Sequence, residues 1–228
     1  MNTRVDLNTK DISLLLMIPE KEVQQFIKRK EIPFQFLHDK VVFNKQQIIE
    51  WALGRNYPIN ISGNNKLSEY HIDTVSPLLD KDSFHYNCDF NESDYIEQMV
   101  ARINIDKNVD KEIITQLLRS RESMMSTAIG NGISLPHPRV PLMVGKNKPL
   151  INFFFPEKLL DLKSIDGKPV HTLILLISQT IKQHLSLIAH LSFLLSTETF
   201  RFALGNRLES GEILDIIQKI EEAKNKAQ

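Results

Sequence analysis

The run Ser126-Thr127-Ala128-Ile129-Gly130-Asn131-Gly132-Ile133-Ser134-Leu135-Pro136-His137-Pro138-Arg139 holds the residues of this chain best suited to chemistry. Pro136 and Pro138 fix their own φ, and Pro138 also keeps His137 out of the helical region, so the imidazole stands on a stiff, extended backbone. Arg139, two residues on, carries a guanidinium fork that pairs with carboxylate or phosphoryl oxygens. Gly130 and Gly132 permit a tight turn whose amides can face an anion. A histidine with a large neutral fraction near pH 7 can act as a nucleophile. On these residues alone the ordinary alternative stands beside the chemical one: a histidine between prolines commonly just shapes a turn.

The elements that must position this segment follow from periodicity. Ile133–Leu135, Leu150–Phe155 and Val170–Ile177 read as strands, with Asp166-Gly167 as a turn before the last. Helices are expected from Ser93, carrying Ile96, Met99, Val100 and Ile103, and from Asp110, carrying Ile113, Ile114, Leu117 and Leu118. Another begins near Gln183 with Leu187, Ile188, Leu191, Leu194 and Leu195 on one side, and a last spans Gly211–Lys224. Strands mixed with helices over 73–228 make one α/β or α+β domain. His184 and His190 lie about 240° apart on their helix, so both cannot serve one site. His38, His71, His85, His171 and His190 are assigned to structure or surface.

Residues 54–65 are rich in Gly, Asn, Ser and Pro, and 57–72 reads as a linker. Before it, residues 1–56 carry three short helical patterns around a hairpin. Thr9 caps the first pattern, Pro19 opens the second with Val23, Phe26 and Ile27, and Asn44 with Gln47 opens the third. Phe34–Leu37 and Val41–Phe43 flank the turn at His38-Asp39-Lys40.

Bulk properties bound the function. Lys+Arg and Asp+Glu both total 28, so no basic excess advertises a polyanion. No apolar run approaches the ~20 residues that span a bilayer, so membrane insertion is not expected. A single cysteine, Cys88, and the lack of an apolar signal region point to the cytoplasm. There is no phosphate-loop motif and no Cys/His ligand spacing, so no nucleotide, metal or other cofactor is expected.

Arg121-Glu122, Ser126-Thr127, Gly130-Asn131-Gly132-Ile133, Pro136-His137 and Arg139, in that order, resemble the active-site signature of phosphotransferase-system enzyme IIA proteins of the nitrogen-regulatory/fructose/mannitol type. The similarity extends through Leu159–Val170 and His184–Ala189 and covers roughly 73–224. It implies an α/β enzyme IIA domain in which His137 takes phosphate from an HPr-type phosphocarrier protein and passes it to a IIB domain or uses it as a signal. It implies that Arg121 and Arg139 compensate phosphoryl charge and that Glu122 organises one of those arginines. Thr127 and the Gly130 and Gly132 amides would contact the phosphate, and His184 would be a second site histidine. Pro138 departs from the Gly or Ala usual there, removing one backbone donor.

The run from Leu7 to Trp51 resembles the excisionase/MerR-like winged helix-turn-helix, with Met17 where that family carries a turn glycine. This implies DNA as a partner, read by Lys21, Gln24, Gln25 and Lys28 on the second helix. The chain is accordingly expected to be a regulatory phosphocarrier whose phosphorylation state controls DNA or protein binding. The alternatives are a sugar-transport IIA subunit serving a separate IIB, and a DNA-binding or scaffold protein with an inactive IIA domain.

Overall fold

The structure is a computed structural model and describes residues 6–37, 40–55, 57–60, 72–107, 109–144 and 148–226. The amino-terminal part runs β1 (Asp6–Leu7), α1 (Thr9–Leu16), α2 (Glu20–Arg29), β2 (Gln35–Leu37), β3 (Lys40–Asn44) and α3 (Lys45–Gly54). Its three strands pair antiparallel in the order β1-β3-β2. Asn8, one residue earlier than expected, caps α1 in a reciprocal box with Asp11, which satisfies donors that a helix start leaves orphaned. Asn44 accepts from the Gln47 N–H and starts α3 as expected. Met17, between α1 and α2, has φ 57. A left-handed residue is required there, and the position that favours glycine is filled by a side chain at a cost of about 1–2 kcal/mol. The expected turn at 38–39 lies outside the described residues.

The next strand corrects the expected linker, 57–72, at its start. Ile59 and Asn60 are buried and form β4 (Ile59–Asn60), which pairs in parallel with β8 (Leu142–Met143). An apolar Ile59 and unpaired backbone groups are better satisfied on a neighbouring strand than in water. Residues 61–71 are outside the described part.

The larger domain continues with β5 (Phe84–Cys88), α4 (Tyr95–Arg102), α5 (Lys111–Glu122), β6 (Ala128–Gly130), β7 (Ile133–Ser134), β8, β9 (Leu150–Pro156), β10 (Thr172–Ile177), α6 (Ile181–Ser196), α7 (Glu198–Gly205) and α8 (Ser210–Lys226). β5 and α7 were not anticipated. The five-stranded sheet has the order β5-β9-β10-β7-β6 and mixes parallel and antiparallel pairs. Every residue of β9 and β10 is buried, as central strands covered on both faces require.

Strand period two splits the core into layers. Phe154, Leu173, Leu175 and Ile177 face the α4–α5 side with Met99, Ile114 and Leu117. Phe153, Phe155, Ile174 and Leu176 face α6–α8 with Leu187, Leu191, Phe200 and Ile217. Each such side chain contributes on the order of 1.5–3 kcal/mol by leaving water. The first cluster also contains Ile12, Leu16, Ile59, Val140 and Leu142, so the amino-terminal core and the α4–α5 face are one continuous apolar body.

Candidate functional site

His137 sits just beyond β7, after the buried Leu135 and Pro136, and is itself partly buried. Leu176 of β10 donates its N–H to the Pro136 carbonyl at 2.9 Å, so the central strand fixes the segment that presents the ring. The imidazole Nδ1 lies 2.7 Å from the Leu135 carbonyl oxygen. A carbonyl only accepts, so Nδ1 carries the proton and the neutral ring's lone pair is on Nε2. Arg121 Nε donates to that Nε2 at 3.3 Å. Arg121 is at the carboxyl end of α5, where a cation is favoured, and its Nη1 is held by the Met125 carbonyl at 2.8 Å.

His184 enters from the first turn of α6, with Thr180 capping the helix through the Gln183 N–H. Its ring lies 5.1 Å from the His137 ring, centroid to centroid. Burial, the His137 ring and Arg121 together hold its pKa down at about 4. Burial likewise lowers the His137 pKa, helped by Arg121 and opposed by the Leu135 carbonyl and Glu122. Both rings are therefore neutral at pH 7, one offering a lone pair and the other an N–H. Arg139 is exposed, with Nη1 3.9 Å from Met124 Sδ. A cavity of about 330 Å³ opens here, lined by Pro138, Arg139, Val140, Pro141, Ile181 and His184 among others.

The other expected site residues are placed differently. Glu122 grips Thr127 where an arginine partner was expected. Its carboxylate accepts the Thr127 N–H at 3.1 and 3.2 Å and the Thr127 hydroxyl at 2.6 Å. With that proton committed, the Ser134 hydroxyl is the donor in its 2.9 Å contact with Thr127 Oγ1. Thr127 is 3% exposed, and its carbonyl accepts from the Leu135 N–H at 3.0 Å. The pair thus clamps the strand end from which Leu135 holds His137, and the Thr127 hydroxyl faces a carboxylate instead of a phosphoryl group.

Gly130 and Gly132 also serve a different place. They have φ of 100 and 70, and a Cβ at Gly132 would lie 2.2 Å from the His171 ring. The N–H between them, on Asn131, donates to Asp166 at 2.8 Å, and the Gly132 carbonyl accepts from the His171 and Thr172 N–H groups. This turn closes the start of β7, up to about 16 Å of extended chain from His137. Its role is close packing against His171, beside a separate cavity of about 460 Å³. His190 bonds the Ser186 carbonyl and His85 stacks on Phe154, both structural as expected.

Sequence reasoning missed the apolar rim. Met124, Met125, Ile181 and Leu185 are 63%, 70%, 59% and 63% exposed and stand beside Glu122, Arg139 and His184 in chain or space. Four exposed large apolar residues near one charged pocket were legible only once α5 and α6 had been brought together.

Lys21, Gln24, Gln25 and Lys28 form a second group, all exposed on α2 opposite the buried Val23. Among the described residues, no group of three or more His, Cys, Asp or Glu could hold a metal ion, and no helix is long and apolar enough to cross a membrane.

Residues 77–220, well over half of the chain, match the family described as phosphoenolpyruvate-dependent sugar phosphotransferase system, EIIA 2. Over 150 residues the chain is 31% identical to the fructose-specific EIIABC component of Bacillus subtilis, which covers 64% of this chain and 23% of that protein. The chain therefore spans less than a quarter of the length of that relative. It is 28% identical over 113 residues to the nitrogen regulatory protein of Pseudomonas aeruginosa, covering 49% of this chain and 69% of that one. In fold, it is similar to the nitrogen regulatory protein IIA-Ntr of Neisseria meningitidis, with a TM-score of 0.55 and 19% identity over 63% of this chain and 98% of that chain.

Proposed function

The chain belongs to the EIIA 2 family of the phosphoenolpyruvate-dependent sugar phosphotransferase system, and from that premise we propose that it carries a phosphoryl group on Nε2 of His137. The single observation supporting this is the division of labour on the imidazole: Nδ1 is tied to the Leu135 carbonyl, and Nε2 meets the Arg121 fork. The donor is an HPr-type protein bearing a phosphohistidine. The Nε2 lone pair of His137 forms the new P–N bond as the donor's P–N bond breaks, and that electron pair returns to the donor's ring nitrogen. The Nδ1 proton stays in place, and the Leu135 carbonyl takes up the positive charge developing on the ring. Arg121 Nε releases Nε2 and turns onto the phosphoryl oxygens, with Arg139 free to close from solvent and the neutral His184 adding an N–H. The Met124, Met125, Ile181 and Leu185 rim suits docking of a carrier protein, or of a IIB domain for the onward step.

The amino-terminal module, residues 1–56, is read as a winged helix-turn-helix that binds duplex DNA, joined to an enzyme IIA domain spanning 73–228. Supporting this are the order of α1, α2, hairpin and α3, the left-handed Met17 in the turn, and the polar solvent face of α2. Phe36 and Leu37 on the hairpin are 71% and 47% exposed, where a wing would meet a groove. The function is then regulatory, with the phosphorylation state of His137 controlling what the module binds.

The test is transfer from phosphoenolpyruvate through enzyme I and HPr, comparing the wild type with His137→Ala on a phosphate-affinity gel. A shifted band that vanishes in the variant is expected. No shift with an active donor would sink the reading.

A further inference from the structure

Both supports of the histidine pair converge on β8, and β8 is also the strand that β4 joins. The four residues after His137 are Pro138, Arg139, Val140 and Pro141, of which only Arg139 is exposed. They lead directly into Leu142, whose N–H donates to the Ser178 carbonyl at 2.8 Å. Ser178 lies two residues before the Thr180 cap of the helix that carries His184. On the amino-terminal side the Ile59 N–H donates to the Pro141 carbonyl at 3.0 Å, and Ile59 and Asn60 register with Leu142 and Met143. Ile59 and Leu142 are 0% and 1% exposed and belong to the same apolar cluster as Ile12 and Leu16 of α1.

We propose that phosphorylation of His137 is relayed to the amino-terminal module through the Pro138–Pro141 segment, and that it loosens the β4–β8 pair. This rests on the reading of His137 as the phosphoryl acceptor. A phosphoryl group introduces up to two negative charges beside Arg121, and Arg139 is the nearby exposed cation able to turn toward it. Pro138, Val140 and Pro141 are buried and both prolines have fixed φ, so a backbone displacement at Arg139 has few torsions in which to dissipate before it reaches Pro141 and Leu142. The pair it then reaches is two residues long, with paired and released arrangements as its two states, and its opening withdraws Ile59 from the apolar cluster it shares with Ile12, Leu16 and Leu142.

The molecule contains its own reporter. Trp51, the single tryptophan, stacks on Tyr57 at 5.3 Å and 16°, two residues before β4, and meets Phe26 of α2 edge-on. Its indole N–H is bonded to the Glu31 carbonyl. Release of β4 would disturb this packing.

The experiment takes the full chain to complete phosphorylation with phosphoenolpyruvate, enzyme I and HPr, with occupancy read by intact mass. Hydrogen exchange of peptides covering 57–60 and 140–144 is then compared with the unphosphorylated chain, alongside Trp51 emission. Exchange faster by about tenfold or more, with a change in emission that reverses on dephosphorylation, is expected. Full occupancy with unchanged exchange and emission overturns the relay while leaving the acceptor intact. No gain in mass overturns the acceptor reading, and the relay with it. Arg139→Ala, driven to full occupancy, is expected to accept phosphate without the change at 57–60; a change of wild-type size would overturn the role of this segment.

Discussion

The imidazole of His137 and the outer face of α2 solve opposite problems with similar residue types. At His137 both ring nitrogens are already directed, one at the Leu135 carbonyl and one at Arg121, and each of these partners is held by a further bond or by a strand. On α2, Lys21, Gln24, Gln25 and Lys28 end in solvent. A group that must react needs its orientation and protonation set before the partner arrives, which takes buried neighbours and lowers pKa values. A surface that meets duplex DNA, as proposed for α2, needs reach and charge, and ordering before contact would gain it little. The same contrast should therefore reappear in what substitutions do.

The sharpest test is Arg121→Ala. Losing the cation that meets Nε2 should slow phosphoryl transfer about 10²–10³-fold, measured by rapid-quench single turnover, with the melting temperature nearly unchanged. A slowing below threefold would place charge compensation on Arg139 or His184 instead. Next is Glu122→Gln, which keeps size but weakens the grip on the Thr127 N–H and hydroxyl. It should lower stability by about 1.5–3 kcal/mol in urea unfolding, and slow transfer as well because the clamp holds the strand that carries Leu135. Unchanged transfer in a destabilised variant would show the clamp to be structural alone.

In the amino-terminal module Met17 holds its left-handed φ in the turn between α1 and α2, away from His137 in the chain. Met17→Gly should stabilise the chain by about 1 kcal/mol, read as a higher urea midpoint, without altering phosphoryl transfer. A loss of stability would mean that the Met17 side chain contributes more by packing than its left-handed φ costs. The smallest effect is a titration. His184 should titrate near pH 4 by NMR, and in His137→Ala its pKa should rise as the neighbouring ring is removed. Because the folded value lies below the ordinary value of 6.5, the unfolded chain binds more protons between the two. Stability from this group is complete above about pH 6.5 and falls as pH drops toward 4. A flat profile across that window would contradict the buried neutral ring.

What could be read in advance divides along a physical line. The strand end bearing His137, the capped helices and the central strands announce themselves through local pattern: prolines, caps and unbroken apolar runs. His184 was legible as a residue type, yet its approach to His137 depends on α6 returning across the sheet, a long-range event with no local mark. Glu122 was tied to an arginine by the family resemblance, whereas the nearer donors were a backbone amide and a hydroxyl on Thr127. The glycines were assigned to an anion because loops of that composition bind anions; what their backbones approach is the His171 ring at Gly132 and the Asp166 carboxylate at Gly130. A strand of two residues such as β4 has no periodicity at all, so its partner on β8 is visible only in three dimensions.

The bond from Nδ1 to the Leu135 carbonyl has a consequence for lifetime. Once Nε2 is phosphorylated, a ring that keeps its Nδ1 proton leaves as neutral imidazole when the P–N bond breaks, and a neutral leaving group departs readily. A phosphoryl group held this way has high transfer potential and a short residence. On the proposed reading of His137, the carbonyl that prepares the ring for attack also shortens the life of the phosphoryl group, so its level follows the current supply of phosphate from the donor.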